Sequence, residues 1–355
     1  MRVNYIKLIL ALINRKTPIY AHFGLTHRCN LQCRMCNIWK TGHVDAELNL
    51  AQINNLANTL NSLGVFFISL GGGEPLLRGD LNEIIAVFIQ KGLRVRLLTN
   101  GLLMEERGIQ DMIRSGLRDI SVSLDTALPQ RQSYICQQEG IWEKIVDRMT
   151  LLSRLFPKRG SLLLVNTTVS RLNLEELPSL ARFVAKLGYY ISFVPLERRE
   201  SGHCGVNIDG YPAELKITTG DYKTVDKIYE ELIRMKQKNN SNIFNSTRFL
   251  NNSRQFLKNA DRNWQCDAGR LYFSLTPQGG FSLCHRFNPE RQYSDYDIIT
   301  YLKSKEFNDK QKMLTKGCAG CMRPCWAEIT NLAKDPRSFW EMLKVQVSAS
   351  GRRRF

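Results

Sequence analysis

Apolar positions along the chain fall into two alternating kinds of segment. Short, nearly continuous apolar runs at 21–26, 65–70, 93–98, 120–124, 162–169 and 190–194 read as strands buried on both faces. Between them lie stretches with helical spacing. In the first, Leu50, Ile53, Leu56, Leu60 and Leu63 form one stripe, ended by Gly64. Helices follow at 81–91, 105–115, 141–156 and 174–187, the first, second and last closed by Gly92, Gly116 and Gly188, and a final one spans 222–238. Six strand–helix units of this length, joined by right-handed crossovers, predict an α/β fold: a partial (β/α)6 TIM-type barrel over 19–238. In such a barrel the chemistry sits at the C-terminal ends of the strands.

The pattern changes after residue 238. Residues 239–265 are rich in Asn and Ser and read as a connector. Segments 271–275 and 281–284, joined through Pro277-Gln278-Gly279-Gly280, predict a β-hairpin, followed by a helix around 296–314. Residues 266–345 are therefore expected to form a small hairpin-and-helix domain stapled by metal instead of a core, with 346–355 as a basic tail containing Arg352, Arg353 and Arg354. Residues 1–18 carry a short apolar helix at 5–13.

Composition narrows the class. Of 355 residues 43% are hydrophobic and 23% charged, which excludes collagen-like, low-complexity and wholly disordered chains. The longest strongly apolar run, 8–13, is far short of the roughly 20 residues that span a bilayer, and no clear signal-cleavage site follows it. A cytoplasmic location is expected. The 5–13 helix either rests peripherally on a membrane or, the preferred reading, caps the barrel bottom. A formal charge of +17 points to an anionic partner. No nucleic-acid-binding module is recognisable.

The 10 cysteines change the picture most. Cys29-x3-Cys33-x2-Cys36 and Cys318-x2-Cys321-x3-Cys325 have metal-ligand spacings, and Cys266 and Cys284 flank the hairpin. Three thiolates in one short loop can hold three corners of a cubane cluster and leave the fourth iron open; a zinc site with a distant fourth ligand is the alternative. Cys136 and Cys204 stand alone and read as ordinary thiols, with a substrate role left open for Cys204 in its polar loop. His203 and His285 read as solvated loop residues, and Glu197, Arg198 and Arg199 as a solvated charge run after the sixth strand.

Cys29-x3-Cys33-x2-Cys36, Gly72-Gly73-Glu74-Pro75, Thr99-Asn100-Gly101 and Ser123-Leu124-Asp125 occur in this order, each at or near a predicted strand end. In this the sequence resembles the radical S-adenosylmethionine (SAM) superfamily over about residues 19–200. The resemblance implies a [4Fe-4S] cluster on Cys29, Cys33 and Cys36 whose open iron binds SAM. It also implies reductive cleavage to a 5'-deoxyadenosyl radical that takes hydrogen from a substrate. Gly72 and Gly73 would let the backbone approach the methionine moiety and Glu74 would accept from its ammonium, with Thr99 and Asn100 beside them. Ser123, Asp125 and Asn166 would bond the ribose or the carboxylate side. Met35, where the family often has an aromatic residue, and Leu196 would flank the adenine.

Cys266-x12-Gly279-x4-Cys284 with Cys318 and Cys321 resembles the SPASM or twitch extension of that superfamily. Five C-terminal cysteines imply one auxiliary [4Fe-4S] cluster with one thiol spare, Cys325 being favoured as the spare; a zinc ribbon is the alternative. Expected partners are a flavodoxin- or ferredoxin-type reductant and a small-molecule, lipid or peptide substrate. The expected outcome is oxidation, coupling or maturation, with the auxiliary cluster accepting an electron. A nucleic-acid substrate, and a non-catalytic iron-sulfur or zinc binding protein, are the other readings. Ser69 and Leu164 stand where the molybdopterin-pathway cyclase has basic residues, and the chain ends Arg354-Phe355 where that enzyme has Gly-Gly, so its substrate is disfavoured.

Overall fold

The computed structural model describes residues 12, 17–40, 47–197, 202–203, 206–207, 211–238, 240–259, 263–289, 291–293, 298–318 and 320–350. Six parallel strands form the barrel wall: β1 (Tyr20–Thr26), β2 (Phe67–Gly72), β3 (Arg94–Thr99), β4 (Asp119–Ser123), β5 (Leu162–Val169) and β6 (Tyr190–Pro195), paired in sequence order. Their crossovers carry helices α1 (Leu50–Leu63), α2 (Leu81–Gln90), α3 (Glu106–Arg114), α4 (Pro129–Cys136), α5 (Ile141–Leu155) and α6 (Leu177–Lys186). Helix α1 starts at a capping box between Asn49 and Gln52. Its buried stripe is Ile53, Leu56, Ala57, Leu60 and Leu63, so four of the five positions of the predicted stripe are buried and Leu50 is exposed. Helix α4 was not anticipated; its buried positions include the polar Gln132 and Ser133, which give no apolar stripe to read.

After β6 come a two-residue ladder of β7 (Gly202–His203) and β8 (Val206–Asn207), then α7 (Tyr222–Gln237) and α8 (Thr247–Asn259). Helix α8 lies inside the stretch read as a connector. It buries Phe249, Leu250, Phe256 and Leu257, so the segment is part of the core. The hairpin forms as β9 (Tyr272–Leu275) and β10 (Gly280–Ser282), with β11 (Arg291–Gln292) beyond it. The expected single helix is two, α9 (Ile298–Lys303) and α10 (Lys305–Gly317), followed by α11 (Pro324–Lys334) and α12 (Pro336–Ser350).

The C-terminal region is packed differently from the expectation of a metal-stapled unit without a core. Strand β9 pairs in parallel with β1, placing Tyr20 opposite Tyr272 and Phe23 opposite Leu275, so the hairpin extends the barrel sheet. Phe273, Phe281, Leu283, Phe307 and Trp326 share one buried cluster with Phe23, Ile68 and Leu97 of the barrel. Trp326, 1% exposed, stacks on Tyr272 at 4.7 Å and meets the edge of Tyr20 at 5.6 Å, joining the two regions. Glu328 on α11 accepts from the Ser246 amide and hydroxyl, both at 2.8 Å, and ties α11 to the start of α8.

Of the 5–13 run only Leu12 is described; it packs with Ile19 beside Ile329 and Phe339. The rest of the 5–13 run, Arg198, Arg199, Cys204 and the Arg352–Arg354 tail lie outside the described residues. Among the described residues no helix is long and apolar enough to cross a membrane.

Because hairpin and barrel share one core, Trp326→Ala is expected to lower the stability of the whole chain by about 3–5 kcal/mol. In urea unfolding followed by circular dichroism, the transition should shift to lower denaturant and stay single. Two separated transitions would show that the regions do not share a core.

Candidate functional site

The loop carrying Cys29, Cys33 and Cys36 leaves the C-terminal end of β1 and is pinned from three sides. From β2, the Gly73 amide donates to the Thr26 carbonyl at 2.7 Å and the Glu74 amide to the Arg28 carbonyl at 2.8 Å. From β3, the Asn100 side-chain amide donates to the Asn30 Oδ1 at 2.7 Å. From α4, the Tyr134 and Ile135 carbonyls accept from Arg34, whose guanidinium lies over the Tyr134 ring at 4.1 Å. The Cys36 amide closes the turn on the Cys33 carbonyl at 3.0 Å.

The three thiols are electrostatic neighbours: Cys29 feels Cys36, and Cys33 feels Cys36 and Asp125. Burial pushes the Cys29 and Cys36 thiols up. For Cys33 the first cause is a hydrogen bond with the Cys136 thiol, and burial is the second. Cys136, read from sequence as an ordinary packing thiol, therefore stands beside the loop. Gln132 Nε2 holds its sulfur at 3.2 Å.

Gly72, Gly73 and Glu74 each have a local structural job. Gly72 has φ +113°, and a Cβ there would lie 2.3 Å from the Thr26 carbonyl oxygen; at Gly73 it would lie 2.1 Å from that of Arg28. Both glycines thus let the thiol loop approach its own neighbouring strand. Glu74 is 0% exposed, and its carboxylate accepts from Leu76 N at 3.0 Å, Thr99 Oγ1 at 2.8 Å and Asn100 N at 2.8 Å. It locks the β2 and β3 ends together. Thr99 is buried as part of that lock, while Asn100 is half-buried and reaches the loop.

Asp125 follows β4 and is buried. Its Oδ1 accepts from the Thr168 amide at 2.7 Å, and its carbonyl from Asn173 Nδ2 at 2.7 Å. Burial pushes its carboxyl up to about 6, and the Thr168 hydrogen bonds oppose this. Ser123 is exposed and pairs in register with half-buried Asn166. Met35 packs half-buried on the core, and Leu196, 8% exposed, donates its amide to the Val169 carbonyl at 3.0 Å. Of the expected cofactor-binding residues, Ser123, Asp125 and Asn166 therefore come together at the β4 and β5 ends, and Asp125 also lies within electrostatic reach of Cys33.

In the C-terminal region, Cys284 feels Cys321, Cys266 and Cys318, so these four thiols gather at one place. The Tyr272 hydroxyl stands 3.1 Å from the Cys266 sulfur, and the Gly320 amide donates to that of Cys318 at 3.3 Å. Cys325 has different neighbours, Arg323, Glu197 and Tyr20, and burial pushes its thiol up to about 11. Among the described residues no three Cys, His, Asp or Glu side chains converge as around a single ion. A cubane spreads its ligands over separate irons, and sets of three and of four neighbouring thiols fit that donor pattern.

Sequence reasoning misplaced the residues between the two thiol groups. Glu197 is 4% exposed and binds Arg323 at 2.6 Å and Arg286 at 2.7 Å, so it is no solvated charge. His285 stacks on Trp326 at 5.6 Å, and its Nδ1 accepts from Trp326 Nε1 at 3.1 Å. Inside the barrel, the Ser69 hydroxyl meets the Tyr20 hydroxyl at 2.6 Å and His22 Nδ1 at 2.8 Å. Arg323, between two cysteines of one motif, and Glu197, just past a strand end, were the available signals.

Comparison with known proteins adds the following. The sequence signature of the Radical SAM superfamily matches residues 24–184. The AdoMet-dependent heme synthase of Methanosarcina barkeri is 33% identical over 182 residues, 50% of this chain and 51% of that protein. A probable GTP 3',8-cyclase of Methanococcus maripaludis is 30% identical over 215 residues, 58% of this chain and 67% of that protein. The chain thus spans about half the length of the first relative and two thirds of the second. The crystal structure of Streptococcus suis SuiB bound to precursor peptide SuiA has the same fold, with TM-score 0.64 and 14% identity, over 94% of this chain and 78% of SuiB.

The raised Asp125 carboxyl makes stability depend on pH. Its value is 3.8 unfolded and about 6 folded, so the folded state binds its proton more tightly. The stability this contributes is full below about pH 4 and is lost as pH rises through about 6. Asp125→Asn should remove that loss and stand above the parent at pH 7 by up to about 3 kcal/mol. Urea midpoints of both proteins, measured without added iron from pH 4 to 8, read this directly; a constant gap between them would refute it.

Proposed function

The chain belongs to the radical SAM superfamily, and on that premise we propose that it is an enzyme that oxidises or couples a small-molecule or peptide substrate by hydrogen abstraction. When bound, SAM and a [4Fe-4S] cluster supply reductive sulfonium cleavage and the abstracting nucleoside radical, and an auxiliary [4Fe-4S] cluster supplies an electron acceptor. Cys29, Cys33 and Cys36 would hold the first cluster, and Cys266, Cys284, Cys318 and Cys321 the second, leaving Cys325 as the spare thiol. Ser123, Asp125 and Asn166 would orient the cofactor from the β4 and β5 ends, with Met35 and Leu196 as apolar walls.

The observation that carries the reading is the placement of two separate thiol sets around one charged centre. Arg323 is felt both at Cys36 and at Cys321. A radical made on one side can thus have an electron acceptor on the other. The likeness to SuiB favours a peptide substrate, and the relatives named as heme synthase and GTP cyclase favour small molecules. A flavodoxin- or ferredoxin-type protein would supply the reducing electron.

Anaerobic reconstitution tests this. The parent should bind about eight irons per chain and form 5'-deoxyadenosine with dithionite and SAM. Changing Cys29, Cys33 and Cys36 to Ala should leave about four irons and no nucleoside. Cys284→Ala should also fall to about four irons, whereas Cys325→Ala should keep about eight. Zinc in place of iron, or no nucleoside from the parent, would overturn the proposal.

A further inference from the structure

Helix α10 turns one face to the core and the other outward. Phe307 and Gln311 are buried, whereas Asp309, Lys312, Met313 and Lys316, spaced as one helical face, are exposed. Opposite the helix runs the segment from Cys266 to Arg270. Gln311 Nε2 donates to the Ala268 carbonyl at 2.9 Å. Gly269, at φ +78°, passes so close to the helix that a Cβ there would lie 2.9 Å from the Phe307 ring. Helix and segment are thus tied together, and a cleft of about 220 Å³ remains between them, lined among others by Cys266, Arg270, Lys312 and Lys316.

Two properties single this cleft out. The first is its link to the second thiol set. Cys284 and Cys321 are buried and do not line it, whereas Cys266, a neighbour of both, does. The second is its charge. Three cations line it and, among the described residues, no Asp or Glu does. Lys312 has Asp309 at 3.8 Å, but their side chains are 64% and 58% exposed, so water screens the pair. Neither Arg270 nor Lys316 has an ion-pair partner among the described residues. Met313, 65% exposed, adds an apolar contact beside the two lysines. Cations around a small apolar contact suit the transient encounters of electron-carrier proteins, whose interfaces are small and steered by charge.

We infer that this cleft is the docking surface of an acidic one-electron carrier protein, which collects the electron that substrate oxidation leaves at the second thiol set. This rests on the reading of Cys266, Cys284, Cys318 and Cys321 as ligands of an electron-accepting cluster. One electron leaves that site, which is thereby reoxidised, and the carrier is reduced by one electron. Without such an exit the acceptor would stay filled after one turnover. Arg270, Lys312 and Lys316 meet carboxylates on the carrier, and the chain's formal charge of +17 steers an acidic protein toward them.

The test uses the full chain, reconstituted anaerobically with iron and sulfide. The probe is an oxidised acidic flavodoxin, with basic cytochrome c as the charge control. In calorimetric titrations at low salt the flavodoxin should bind and cytochrome c should not. Binding should weaken between about 0.01 M and about 0.1 M salt, as the screening length falls from roughly 30 Å to roughly 10 Å. Lys312→Glu combined with Lys316→Glu should weaken it about tenfold or more at unchanged iron content. If that variant loses iron, the corresponding pair of changes to Gln carries the comparison. Lys144→Glu combined with Lys227→Glu changes the net charge equally at exposed positions on α5 and α7, outside the cleft, and should weaken binding by less than about threefold. Electron exit is read by stopped flow in the chain with Cys29, Cys33 and Cys36 changed to Ala and reduced beforehand. It should pass one electron per chain to the flavodoxin, about tenfold or more slowly with the cleft pair changed. No flavodoxin binding at low salt, equally tight cytochrome c, equal losses in the two Glu pairs, or a transfer rate unmoved by the cleft pair would each overturn the inference. Nucleoside formation by the parent with dithionite needs no carrier and checks the enzyme reading separately, so the two can fail independently.

Discussion

A carboxylate with no access to water must find its donors in the protein, and at Glu74 it finds three of them at the ends of two neighbouring strands. That single constraint fixes the top of the barrel. The Asn100 amide, bound by Glu74, sets the residue whose side chain reaches Asn30 in the thiol loop. The Glu74 amide, on the same residue, holds the Arg28 carbonyl one turn earlier in that loop. A side chain at Gly72 or Gly73 would push the loop off β2, and the contacts from Glu74 onward would lose their register. The position of the first thiols is thus a consequence of backbone geometry at β2.

Much of this was legible in the sequence, for identifiable reasons. Parallel strands covered on both faces appear as continuous apolar runs, and so β1 to β6 were found within two residues of their ends. Helix α1 declared itself by its stripe and cap. Helix α4 did not, because Gln132 is buried there to serve Asp125 and Cys136 with Ser133 buried beside it, and a polar buried face carries no periodic signal. Helix α8 was masked by composition: Phe249, Leu250, Phe256 and Leu257 have helical spacing, but the surrounding Asn and Ser residues suggested a connector. The pairing of β9 with β1 joins residues about 250 positions apart, and no local pattern encodes such a contact.

The candidate site divides along the same line. Residue identity and order pointed to the thiols, the glycine pair, Glu74 and Asp125. Which group each one faces is a tertiary fact. Gly72 and Gly73 contact backbone, a neighbour that no spacing in the sequence distinguishes from a ligand. Glu197 stands next to two arginines in the chain and reads as one of a solvated run, yet its partner Arg323 is 126 residues away. Burial is what separates the two cases, since an exposed charge run has no need of a fixed partner and a buried carboxylate does.

The relation between the two thiol sets follows from the sheet. Cys266 lies beside the Tyr272 hydroxyl, Tyr272 is laddered to Tyr20 on β1, and β1 leads directly into the Cys29 loop. The path from one set to the other therefore runs along one hydrogen-bonded strand pair, with Trp326 packed across it. A flexible linker between the two regions would let that separation wander. Strand pairing removes this freedom. It also explains why the C-terminal region needs a shared core: the packing that stabilises it is the same packing that holds the two sets in register.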